Sequence, residues 1–164
     1  MGRTSKSTIL ATLVCVFAPA GLLAAPANMS GHWVLNIKES KWGKKKAPQN
    51  IVIDIQHQDP RLKYTGELTS TLEGQATTFS FDGAIDGQEY TLTEDQVQRK
   101  LKVERQNDFT IRTTATSMDG KSVETAATSL SRDGRRLTRR ITLRSPEGEA
   151  TWVEVYDKAA AQAK

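Results

Sequence analysis

The chain has 164 residues, a formal charge of +4, one cysteine and two histidines. So small a set of thiols and imidazoles excludes a Cys–His nucleophile pair, zinc-ligand spacing and an H-E-x-x-H helix, and there is no glycine-rich phosphate loop. The basic excess is too mild to imply nucleic acid as a partner.

Arg3 and Lys6 stand ahead of an apolar run from Ile9 to Ala25, and the small-x-small triplet Ala25-Pro26-Ala27 follows. This order predicts an export signal over residues 1–27, cut before Asn28, with 28–164 as one domain bound for the bacterial periplasm or secreted. An uncleaved anchor fits less well, because Thr12, Pro19 and Gly21 break a run already short for a membrane span of ~20 residues. Cys15 leaves with the signal, so the mature domain has no disulfide and depends on its core.

Beyond Asn28 the pattern alternates apolar and polar residues between turn signals, with almost no helical period. His32 to Asn36 reads as a first strand, followed by a lysine-rich connection from Lys38 to Lys46 that ends at Pro48. Ile51, Ile53, Ile55 and His57 share one face of a second strand, Asp59-Pro60 turns the chain, and Leu62, Tyr64 and Leu68 lie on a third. Phe79 and Phe81 mark a fourth. Asp82-Gly83 and Asp86-Gly87 read as punctuation after it, and Glu89 to Leu92 is a short fifth.

The second half is more regular. Leu101 and Val103 lie in one strand, then Phe109 to Met118, Val123 to Leu130, Arg136 to Arg144 and Ala150 to Tyr156 follow, separated by Asn107-Asp108, Asp119-Gly120, Asp133-Gly134 and Pro146-Glu147-Gly148. Connections this short force antiparallel neighbours. A meander of that length leaves two long bare edges unless it closes, so the sequence predicts an all-β, antiparallel up-and-down barrel of eight to ten strands, with a two-sheet sandwich as the other solution. Lys158 to Lys164 reads as a frayed tail.

Ser30-Gly31-His32-Trp33-Val34-Leu35-Asn36, then Glu39-Ser40-Lys41-Trp42-Gly43 and Pro48, resembles the opening of bacterial secreted lipocalin-like, calycin-type proteins of uncharacterised function. Asp133-Gly134, Leu137-Thr138 and Val155-Tyr156-Asp157-Lys158 are similar to that group's closing hairpin. Gly31-x-Trp33 also resembles the lipocalin start, in which the indole closes one barrel end and an arginine near the last strand packs across it. Here the last strand offers Lys158. The resemblance implies a barrel with an interior cavity, and Trp33 itself reads as a core plug.

The strand faces carry the functional expectation. Inward positions are bulky on the second to fourth strands but small later, running Phe109, Ile111, Thr113, Ala115, Ser117 and then Val123, Thr125, Ala127, Ser129. Small residues do not fill a wide barrel, so a cavity is expected there, with Thr113 and Thr125 on its wall. Alternation also turns Arg105 and Arg139 inward, where a guanidinium needs an anionic or polar partner. With Tyr64, these residues are similar in type to the arginine-plus-tyrosine set of fatty-acid-binding barrels.

The expectation is a monomeric, non-catalytic barrel that needs no cofactor or metal and binds a small apolar or amphipathic ligand, its anionic head held by Arg105 and Arg139. His57, at a strand end, reads as structural. The competing expectation is a fully packed barrel acting through a basic surface on anionic envelope lipid or polysaccharide. Lys38, Lys41 and Lys44 to Lys46, or Arg132, Arg135, Arg136, Arg139, Arg140 and Arg144, would supply that surface. An enzyme whose site one sequence does not reveal is the third.

Overall fold

In the computed structural model, residues 26–70 and 75–160 are described. They form ten strands: β1 (Gly31–Leu35), β2 (Asn50–Gln58), β3 (Arg61–Thr69), β4 (Ala76–Ala84), β5 (Glu89–Glu94), β6 (Val97–Asn107), β7 (Thr110–Ser117), β8 (Val123–Leu130), β9 (Arg136–Ser145) and β10 (Gly148–Ala159). Each pairs antiparallel with its neighbours in sequence, and β1 closes the ring by pairing with both β2 and β10. The closed antiparallel barrel read from the alternation is the observed fold, with no free sheet edge to protect. The export signal falls on residues largely outside those described.

Period-2 alternation sets the interior. On β2, Ile51, Ile53 and His57 are buried while Asp54 is exposed, and on β6 Leu101 and Val103 are buried between exposed neighbours. Two hairpins share one turn chemistry. Asp119 accepts hydrogen bonds from the Ser117 hydroxyl at 2.6 Å and the Lys121 amide at 3.1 Å. Asp133 does the same with Ser131 and Arg135. These bonds, the serine hydroxyls first, hold both carboxyls below the usual aspartate range. The glycines that follow, Gly120 and Gly134, have φ of 72° and 69°, which a side chain would strain.

One end of the barrel is shut. Trp33 is fully buried, and its indole N–H donates to the Met29 carbonyl at 3.0 Å. The Met29 amide in turn donates to Nδ1 of buried His57 at 3.1 Å. His57 thus fastens the Ala27–Ser30 segment across the opening, a structural role. The Lys158 ammonium lies 5.3 Å from the centre of the Trp33 ring, so a lysine covers the indole from the last strand. At the other end the connection between β1 and β2 crosses the rim. Lys41 bridges Val153, and Trp42 packs against Ile141, Trp152 and the main core.

Three local expectations are corrected. Gly83 is not a turn residue but lies inside β4 opposite Leu62, because a Cβ there would fall 2.6 Å from the Phe81 ring and 2.8 Å from Tyr90. Phe109 sits half-exposed between β6 and β7, after a register shift between Arg105 and Asn107, and does not head an inward row. Lys158 and Ala159 are strand, paired with Trp33 and His32, not a frayed tail.

Gly66 on β3 repeats the logic of Gly83. A Cβ there would come within 2.3 Å of the Phe79 ring and 2.7 Å of the Val52 carbonyl. Gly66→Ala is therefore expected to lower stability by about 1–3 kcal/mol through overpacking, read from urea denaturation. Adding Phe79→Leu should restore part of the loss, because it removes the ring but not the carbonyl contact.

Candidate functional site

Between the shut end and the rim lies an interior cavity of about 230 Å³. Ile51, Ile53 and Ile55 of β2, Leu62, Tyr64 and Leu68 of β3, Phe79 of β4, Leu92 of β5 and Leu101 of β6 line one side. The aromatic part is rigid: Tyr64 stacks on Phe81 with centroids 5.2 Å apart and meets Phe79 edge-on at 6.3 Å. The opposite side is built from β7 to β10 and is smaller and more polar, with Thr113, Ala115, Glu124, Thr128, Arg139 and Glu154 on its wall. Exposed Lys45 lines the rim, its ammonium 3.7 Å above the Trp152 ring, so the cavity reaches the surface there.

The polar side is an ordered charge network. Cross-strand partners Arg139 and Glu154 meet at 3.0 Å between Nη1 and Oε2. The same Glu154 oxygen accepts the Tyr156 hydroxyl at 2.7 Å, and Oε1 accepts the Trp152 indole at 2.8 Å. Buried Glu154 is thus met by three donors. Burial works against the Arg139 charge, yet Glu154, Tyr156 and Glu124 more than offset it and hold the guanidinium pKa above its ordinary value. Burial, then Glu154, pushes the Tyr156 phenol up, and burial does the same to Tyr64 against the pull of Arg139.

Further round the wall, Arg99 places Nη1 3.7 Å from both Glu94 and Glu124, while its Nη2 donates to the Ala115 carbonyl at 3.2 Å. Arg139 Nη2 also lies 3.7 Å from Glu124. Glu94, Arg99, Glu124, Arg139 and Glu154 therefore form one chain of alternating sign. Among the described residues, no three His, Cys, Asp or Glu side chains are grouped to hold a metal.

The five residues singled out from sequence separate. Tyr64, Thr113 and Arg139 line the cavity. Arg105 faces inward but at the shut end, where it pairs with Asp59, the carboxylate that also lies 3.4 Å from His57 Nε2. It does not reach the cavity, so the two arginines do not form one head-group site, and Arg139 already has a carboxylate. Thr125 points outward, because the inward face of β8 is Glu124, Ala126, Thr128 and Leu130. The set Val123, Thr125, Ala127, Ser129 is its outer face.

Arg99, Glu124 and Glu154 were not read from sequence, and Glu94, which reads there as a solvated turn carboxylate without a partner, instead ends β5, lines the cavity and pairs with Arg99. The signal for Glu154 was present, since it alternates with Trp152 and Tyr156 on one face. Leu130 would have fixed the β8 register, because its buried side chain shares parity with Glu124.

No protein-family model matches the chain, and no curated protein matches it either. Solved structures do. As-p18, described as an extracellular fatty acid binding protein, superposes with a TM-score of 0.54 at 18% identity, covering 82% of this chain and 98% of that one. Rv2717c from M. tuberculosis gives 0.52 at 13%, covering 80% and 93%. A Schistosoma mansoni fatty acid binding protein in complex with arachidonic acid gives 0.52 at 16%, covering 80% and 96%. What the chain shares with them is the fold, a closed antiparallel β-barrel.

Proposed function

We propose that this chain is an exported, non-catalytic binding protein that takes a small apolar or amphipathic molecule into the barrel. The carrying observation is the cavity: a void of about 230 Å³ with aliphatic and aromatic walls and a few convergent polar groups. Its volume is below the roughly 300–1,000 Å³ of pockets for drug-sized ligands, which favours a slim molecule or a single chain entering past Lys45. Two similar barrels are described as fatty acid binding proteins, one of them holding arachidonic acid, which supports the same mode of use here.

The outer basic cluster gives the surface-acting alternative less support. Arg136 is engaged by Glu39 at 2.6 Å and Asp157 at 3.1 Å, and Arg144 by Glu149 at 2.7 Å. These pairs compensate two of the cluster's arginines, while Arg132, Arg135 and Arg140 are exposed and carry what positive surface the cluster keeps.

Export rests on the residues before Asn28. A mature chain that begins there forgoes one contact of the barrel, since the Ala27 amide donates to the Asp108 carbonyl at 2.7 Å. N-terminal sequencing of periplasmic material reads the cut directly, and full-length chain retained in the cytoplasm would refute export.

Native mass spectrometry of protein purified without detergent, followed by lipid extraction, tests the binding role. A stoichiometric adduct of a few hundred daltons is expected. A clean unliganded mass that does not shift on exposure to aliphatic acids, amines and alcohols would sink the reading.

A further inference from the structure

We propose that the polar side of the cavity selects a protonated amine head rather than a carboxylate. The inference rests on the interior-binding reading above and names its ligand class. Of the five charged groups in the network, three are carboxylates, Glu94, Glu124 and Glu154, and two are guanidiniums, Arg99 and Arg139. Their formal sum is negative, and all but Glu94 have side chains less than a third exposed, where charge is screened less than on the open surface.

The way these groups are occupied sharpens the preference. Arg139 donates to Glu154 at 3.0 Å and Arg99 to the Ala115 carbonyl at 3.2 Å, so both cations are engaged. Glu154 is met by Arg139, Tyr156 and Trp152. The Glu94 and Glu124 side chains, in contrast, accept no hydrogen bond among the described residues, their arginine contacts of 3.7 Å being too long for one. Both line the cavity and flank the same Arg99 nitrogen. Half-buried Tyr64 lines it too, its hydroxyl without a hydrogen-bond partner among the described residues.

The groups with unused capacity are therefore two carboxylates and a phenol. An ammonium brings three donors and no acceptor, which suits them. A ligand carboxylate would face two carboxylates that are ion-paired but accept no hydrogen bond, and would have to take Arg139 from Glu154. The remaining cation, Lys45, sits over Trp152 at the exposed rim, where its charge is screened by solvent.

The test is titration calorimetry of the purified protein with octylamine, octanol and octanoate at pH 7, the tryptophan emission followed in parallel because Trp152 lines the cavity. Octylamine should bind about tenfold more tightly than octanoate, with octanol between them. Glu124→Gln should weaken octylamine about fivefold and leave octanol unchanged. The wild-type order alone decides the matter if that variant fails to fold. Octanoate binding as tightly as octylamine, above all with a loss on Lys45→Ala, would overturn the head-group assignment and leave the cavity reading standing. Octanol binding most tightly would overturn it equally. No binding by any of the three would overturn the cavity reading and this inference with it.

Discussion

Replacing Trp33 with alanine should lower the unfolding free energy by about 3–5 kcal/mol, read as a fall in the urea midpoint at unchanged slope. Trp33 is fully buried between its strand partners Ile53 and Lys158, and its indole N–H holds the Met29 carbonyl. Alanine removes the volume and leaves that carbonyl without its donor, so the segment that shuts the barrel loses one of its ties and keeps those to His57 and Asp108. Trp33→Phe keeps most of the packing and loses the hydrogen bond, for which about 1–2 kcal/mol is expected. The alanine variant should also release a bound amphipath faster, because the cavity then opens at both ends. A loss below about 1 kcal/mol for Trp33→Ala would mean that the shut end is not part of the core.

That shut end was legible in the sequence, since an indole two residues after Gly31 in an alternating strand has few other uses. The barrel was legible for the same kind of reason. Ten alternating segments with short turns leave antiparallel closure as the economical arrangement, and the observed strands match those segments. Register was legible only where the two faces of a strand differ in chemistry. Ile51-x-Ile53-x-Ile55 declares its inner face, but on β8 every residue from Thr125 to Ser129 is small and uncharged, and the parity was set by Val123 instead of Leu130. That one-residue slip turned Thr125 inward and hid Glu124.

Arg105 shows the complementary limit. Its inward parity on β6 was right, but its height along the barrel axis follows from pairing register, which placed it beside Asp59 at the shut end. Gly66 was unreadable as an interior residue because the ring that fills its missing side chain, Phe79, lies elsewhere in sequence, and at Gly83 the space is shared by nearby Phe81 and by Tyr90 of the next strand.

Glu154→Leu is expected to reduce stability by about 3–5 kcal/mol and, in the same variant, to improve binding of octanoate. The stability loss follows from the three donors that lose their acceptor at once: the Arg139 guanidinium, the Tyr156 hydroxyl and the Trp152 indole. Arg139 retains only its 3.7 Å contact with Glu124 and keeps about a quarter of its side chain open toward the cavity. Arg139→Met alone should also be costly, since it removes the cation from a buried carboxylate. The double variant should cost clearly less than the two singles together, with a coupling of about 0.5–3 kcal/mol, because neither charge is then left alone. Its remaining deficit belongs to Tyr156 and Trp152, the two donors that Glu154 no longer serves. The binding change separates this account from general damage. A loosened barrel would lose affinity for octylamine, octanol and octanoate alike, whereas freeing Arg139 and removing one carboxylate should raise octanoate affinity while octylamine affinity falls. Octanoate binding that drops in step with octylamine would show that Arg139 does not reach a ligand head even when released.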